Sequence, residues 1–154
     1  MQIIVKKFGG TSLSNSDRIL RAISYIKSDL EMGLKVVVVV SAMGKETDRL
    51  LSLHDELDEY RETDDISALL SSGELASSAF FAIMLNKVGL KGKSFQGWQL
   101  PILTDNDSYN SLIHEINTER LAISLKKNEV PVVSGFQGVN SENRITTLGR
   151  GGSD

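Results

Sequence analysis

Residues 3–12 read Ile3-Ile4-Val5-Lys6-Lys7-Phe8-Gly9-Gly10-Thr11-Ser12, an apolar run that ends in a glycine pair and opens directly onto a helix start. Strand, glycine turn and helix N-terminus, in that order, is how an α/β protein builds a phosphate site. Adjacent glycines let the backbone turn with φ > 0 and bring N–H groups close to an anion. Lys7 adds a point charge, and the hydroxyls of Thr11 and Ser12 add donors. The stretch is neither a Walker A loop nor the dinucleotide fingerprint. A glycine pair after a strand is often only a tight turn, so the weight falls on whether later strands end in similar loops.

Working outward, Ser14 followed three residues later by Asp17 reads as a variant capping box. The helix it opens carries Ile19, Leu20, Ile23, Ile26 and Leu30 on one stripe and stops at Gly33. Residues 35–40 then place five consecutive valines after Lys35. A strand apolar on both faces belongs in the middle of a parallel sheet covered on both sides by helices. Beyond the loop 41–46, helices are expected near 47–60, 65–72 and 74–88. Short strands are expected near 91–97 and 102–104, then a helix near 118–128 and a strand at 130–134. The expected fold is α/β, a three-layer α/β/α sandwich around a mostly parallel sheet.

Bulk properties narrow the function. The chain has 154 residues, 40% hydrophobic and 24% charged, which suits one globular domain with one core. A net charge of -3 and a pI near 5.4 argue against nucleic acid and against a polybasic membrane surface, so any bound anion is held by local geometry. The absence of cysteine removes disulfides and thiolate chemistry and suits a reducing cytoplasm. The start MQIIVKK lacks a signal-peptide core, and the valine run is too short to span a bilayer. His54 and His114 have no second ligand at metal spacing, and no metal site is expected. The acidic run from Asp55 to Asp65 reads as a solvated helix face and loop, and Trp98 as a packing residue.

In open parallel sheets ligands bind beyond the carboxyl ends of the strands. The loops there read KFGGTS, SAMGKETD and SGFQG, with TTLGRGGSD closing the chain. VKKFGGTSL (5–13), VVVSAMGKETDRL (38–50), SSGELAS (71–77), VPVVSGFQG (130–138) and ITTLGRGGSD (145–154) together resemble the amino-terminal part of an aspartate kinase, of the amino-acid kinase family.

That resemblance implies transfer of the γ-phosphoryl group of Mg-ATP to the β-carboxylate of L-aspartate. The product is 4-phospho-L-aspartate, at the head of the lysine, threonine, methionine and diaminopimelate pathway. A carboxylate is already ionised at pH 7 and needs no general base, so catalysis would rest on positioning and preorganised positive charge. The resemblance implies Lys7 and Asp154 as catalytic residues. It implies Ser41, Thr47, Glu74, Phe136, Arg150 and Ser153 around the amino acid, with Glu74 for the ammonium and Arg150 for the α-carboxylate. Lys7, Gly9, Gly10, Ser12 and Gly44 would serve the phosphates. Read without the resemblance, Glu74 in a first helical turn gains from the macrodipole alone, and Thr47 is the natural N-cap.

In the family, RGGSD leads into the half of the domain that grips adenine and ribose, followed by ACT domains. The expectation is therefore a truncated domain, with residues after about 140 poorly ordered and self-association through an unpaired sheet edge. Two other readings stay open: another carboxylate kinase of the same fold, or a non-catalytic amino-acid-binding or dimerising remnant.

Overall fold

The structure, a computed structural model, describes residues 2–56, 63–149 and 151–154. Four parallel strands make the main sheet: β1 (Ile3–Phe8), β2 (Lys35–Val40), β6 (Val130–Ser134) and β3 (Gly92–Phe95), in the order β1-β2-β6-β3. The valine run of β2 decides the layering. Val36, Val38 and Val40 face a cluster built from α1 (Ser16–Glu31) and α3 (Thr63–Lys87), with Ile19, Ile23, Ile26, Phe81 and Leu85. Val37 and Val39 face a second cluster with Leu121 and Leu125 of α4 (Glu119–Lys126) and with Phe95, Leu100 and Val133. Alternation along one strand thus feeds two cores, which is the three-layer sandwich. Each fully buried valine contributes about 1.5–3 kcal/mol relative to an exposed one.

A second sheet stands beside the first and went unread in the sequence. β4 (Ile102–Thr104), β5 (Ile113–Ile116), β7 (Gln137–Val139) and β8 (Ile145–Thr147) pair in the order β5-β4-β7-β8, with two antiparallel ladders and one parallel pair. It overturns the expectation of disorder after residue 140. Thr146 and Thr147 are fully buried, and their hydroxyls bond Thr104 (2.7 Å) and Ser67 (3.1 Å).

Other expectations need correction. The helices read at 65–72 and 74–88 are one continuous helix, α3, running through Gly73. By length and composition α3 could cross a membrane, but Leu70, Phe81 and Leu85 are buried against the sheets, as in a core helix. α1 is capped by Asn15, whose side chain accepts from the Arg18 N–H at 2.9 Å, one residue after the expected cap. Leu20 and Trp98, expected to pack, are 39% and 54% exposed. The helix expected near 47–60 is described over α2 (Glu46–Asp55), while 57–62, most of the acidic run, lie outside the described residues.

Candidate active site

The carboxyl ends of β1, β2 and β6 open onto one cavity of about 230 Å³. Six of the expected residues line it: Lys7, Ser41, Thr47, Glu74, Phe136 and Ser153, joined by Gly149 and Gly151. They come from five separate stretches of sequence, and the parallel sheet gathers them by ending its strands at one level. Lys7 is the penultimate residue of β1, and its ammonium donates to Asp154 Oδ1. Ser41 follows β2, its N–H still bonded to the Phe8 carbonyl at 3.1 Å.

Glu74 dominates the electrostatics. Far from a first turn, it lies in the middle of α3 and is 2% exposed, so a helix-end role is removed. Its Oε1 accepts from the Ala42 N–H at 3.0 Å, while Oε2 is buried and has no hydrogen-bond partner among the described residues. Burial pushes the carboxyl up from its ordinary 4.5 to about 7, against the lowering effect of the Ala42 bond. A buried acid with an oxygen to spare beside a small cavity is chemically suited to an ammonium ligand.

Phe136 forms the opposite wall. It has φ 65°, a left-handed conformation costly for an aromatic residue, and its N–H donates to Ser153 Oγ at 2.7 Å while its carbonyl accepts from Leu148 N–H at 2.8 Å. Gly135 lets this turn lie against β2, since an added Cβ would stand 3.0 Å from the Val40 carbonyl. Thr47 belongs to the first turn of α2, whose N-cap is Lys45; the capping role is therefore corrected and the threonine faces the cavity instead.

The phosphate residues divide. Gly9 has φ -76° and Gly10 is also outside the left-handed region, which corrects the expectation of φ > 0 at the pair. Gly10 is required by close approach: a Cβ there would sit 2.6 Å from the Ala42 carbonyl. Gly44 carries the left-handed turn at φ 56°, and its N–H donates to the Gly10 carbonyl at 2.9 Å, locking the two loops together. Ser12 lines a separate cavity of about 540 Å³ with Phe8, Asn15, Arg18, Arg21 and Tyr25 and is not brought to Glu74. Arg150 lies outside the described residues.

Sequence reasoning missed the Ala42 N–H and the two lining glycines. Gly149 and Gly151 sit in the quoted TTLGRGGSD run, and Gly151 has φ 78°. Their glycine identity was the only available signal. It also missed a buried polar cluster beneath Glu74, made by Ser78, Gln96 and Ser134, because isolated Ser and Gln carry no pattern.

Among the known proteins that this chain resembles are aspartokinases. The aspartokinase of Rickettsia conorii is 43% identical over 157 aligned residues, which take in 100% of this chain and 39% of that protein. The crystal structure of aspartate kinase from Synechocystis superposes with a TM-score of 0.77 at 36% identity, covering 99% of this chain and 25% of that one. E. coli aspartokinase III, solved in complex with aspartate and ADP, gives a TM-score of 0.84 at 21% identity over 99% of this chain and 44% of its own, a likeness of fold. The chain thus spans about two fifths of the length of such a curated relative. The family described as "Amino acid kinase family" matches residues 2–154, and this chain belongs to it.

Proposed function

We propose that the chain forms the amino-acid side of an aspartate kinase: the aspartate pocket and the first phosphate loops. The observation that carries this reading is the single cavity lined by Lys7, Ser41, Thr47, Glu74, Phe136 and Ser153, where one Glu74 oxygen has no partner among the described residues. Identity to aspartokinases across the whole chain adds to it, as does the aspartate and ADP complex of E. coli aspartokinase III.

In this reading the Glu74 carboxylate receives the ammonium of aspartate, and Ser41, Thr47 and Ser153 hydrogen-bond its carboxylates, with Arg150 at the α-carboxylate. The β-carboxylate oxygen attacks the γ-phosphorus of ATP. The new O–P bond forms as the bond to the β,γ-bridging oxygen breaks, and that electron pair leaves on ADP. No proton moves, so no base is needed. Lys7 offsets the repulsion between two anions, and Asp154 holds the lysine in place through its ion pair. Gly9 and Gly10 present backbone N–H groups to the phosphates, Gly44 holds their loop in place through its bond to the Gly10 carbonyl, and Ser12 stands at the margin. Magnesium enters with the nucleotide as part of the substrate. Adenine and ribose are assigned to the part of the relatives' length that this chain does not span. The product would feed lysine, threonine, methionine and diaminopimelate synthesis in the cytoplasm.

The test is ATP-dependent acyl phosphate trapped with hydroxylamine, aspartate against glutamate, together with calorimetric aspartate binding. Aspartate-specific binding weakened at least tenfold by Lys7→Ala or Glu74→Ala supports the reading, and hydroxamate formation lost in Lys7→Ala extends it to catalysis. Equal binding of aspartate and glutamate, or none by the folded chain, sinks it. Binding without turnover is the specific outcome for an amino-acid-binding module.

A further inference from the structure

Beneath Glu74, three buried polar side chains from three elements meet. Ser134, the last residue of β6, places Oγ 2.6 Å from Gln96 Oε1 and 2.8 Å from Ser78 Oγ, and Gln96 Nε2 lies 3.2 Å from Ser78 Oγ. Their exposures are 1%, 8% and 0% for Ser134, Gln96 and Ser78. One hydroxyl proton cannot serve two acceptors. The arrangement that satisfies every atom has Ser134 donating to Gln96 Oε1, the Gln96 amide to Ser78, and Ser78 to Ser134. That last contact is shorter than the 3.1 Å from Ser78 to the Leu75 carbonyl of its own helix. The result is a closed ring with one direction of donation. Gln96 is itself fixed, because it forms a reciprocal capping box with Gln99 across the 3-10 turn Gly97–Gln99.

The ring is placed where the pocket walls join. Ser78 lies one helical turn after Glu74 on the same face of α3, and Ser134 Oγ also stands 3.2 Å from the Glu74 carbonyl. Ser134 directly precedes the Gly135-Phe136 turn that forms the other wall. Apolar packing alone would let α3 rotate or slide against the sheet by a fraction of an ångström at little cost. A directional polar ring in a low-dielectric interface does not, because any slip leaves a buried donor or acceptor unmatched.

We propose that the Ser78–Gln96–Ser134 ring is a positioning device: it sets the rotation of α3 so that Glu74 reaches the Ala42 N–H with one oxygen and turns the other toward the ligand. The ring touches no reacting atom. Its bearing on ligand affinity rests on the aspartate-pocket reading; its bearing on Glu74 does not.

Two readouts on the whole chain separate these. Hydrogen exchange at the Ala42 amide reports the Glu74 contact with no ligand present, and calorimetry reports aspartate affinity. Ser134→Ala, and Ser78→Ala as a second variant, are expected to speed Ala42 exchange about tenfold while the Ile26 core amide keeps its protection. Aspartate affinity is expected to fall about tenfold in parallel. Ser124→Ala removes an equally buried serine, one on α4 that bonds Glu129, and is expected to move neither. Unchanged Ala42 exchange in a folded ring variant, or an equal rise in Ser124→Ala, overturns the proposal. A parent chain that binds no aspartate overturns the aspartate reading, while Ala42 exchange still decides the ring.

Discussion

Among the described residues, Glu74 is the ionisable group that burial displaces furthest from its ordinary range. With its carboxyl raised to about 7, the folded chain binds a proton that the unfolded chain has released over the window from 4.5 to about 7. The contribution is fully present below 4.5 and is lost as pH rises through 7, by up to about 3 kcal/mol for a shift of this size. Glu46 and Glu129 shift downward, held by Arg49 and Ser124 respectively, and pull the other way at lower pH. The difference between the parent and Glu74→Gln therefore isolates the one group. Urea unfolding from pH 4.5 to 8 should give a parent curve that falls with pH relative to Glu74→Gln. A parent that gains stability over that window would refute the assignment. The pH dependence of binding follows from the same residue: an ammonium ligand favours ionised Glu74, so its affinity should rise through pH 7.

Among elements, α3 and the loop after β2 are fitted to each other at Gly73. A Cβ there would stand 2.9 Å from Ala42 Cβ and 3.4 Å from Leu50 Cδ1. Helix propensity alone favours Gly73→Ala by about 1 kcal/mol. Overpacking against a backbone-anchored neighbour costs about 1–3 kcal/mol. The clash should win: Gly73→Ala is expected to lower the unfolding midpoint and weaken aspartate binding, as the loop bearing Ser41 and Thr47 shifts away. A higher midpoint with intact binding would mean that the loop yields freely. The same position explains a misreading. Ser71-Ser72-Gly73 looks like a break between helices, yet the glycine serves contact and the helix continues through it. Periodicity did reveal β2, β6 and the stripe of α1, where burial is decided by long apolar runs. It was silent on β7 and β8, whose Gln137-Gly138-Val139 and Ile145-Thr146-Thr147 are buried through hydroxyl and amide bonds rather than apolar area. The pocket residues were legible only through the resemblance; local spacing alone had Glu74 and Thr47 at helix ends.

Over the whole molecule, the main sheet is unevenly covered. α4 packs on β2 and β6, and on that side of β1 Ile3 and Val5 are 47% and 63% exposed. Among the described residues β1 pairs only with β2, so its outer edge offers unpaired backbone beside apolar side chains. Self-association of this chain through that edge is the expected outcome. Sedimentation should find a concentration-dependent oligomer that Val5→Lys returns to monomer; a monomer at all concentrations would rule this edge out as an interface.

The Lys7–Asp154 bond joins residues 147 positions apart. Measured along the chain, the site is thus among the most distant pairings the molecule makes, and distant pairings form late. During synthesis β1 and β2 can meet once about 40 residues have emerged, but β6 must still insert beside β2, and the lysine finds its carboxylate only after the last of these residues leaves the ribosome. A nascent chain that has not yet reached residue 154 therefore exposes Lys7 and the glycine loops without the walls that line the cavity around them.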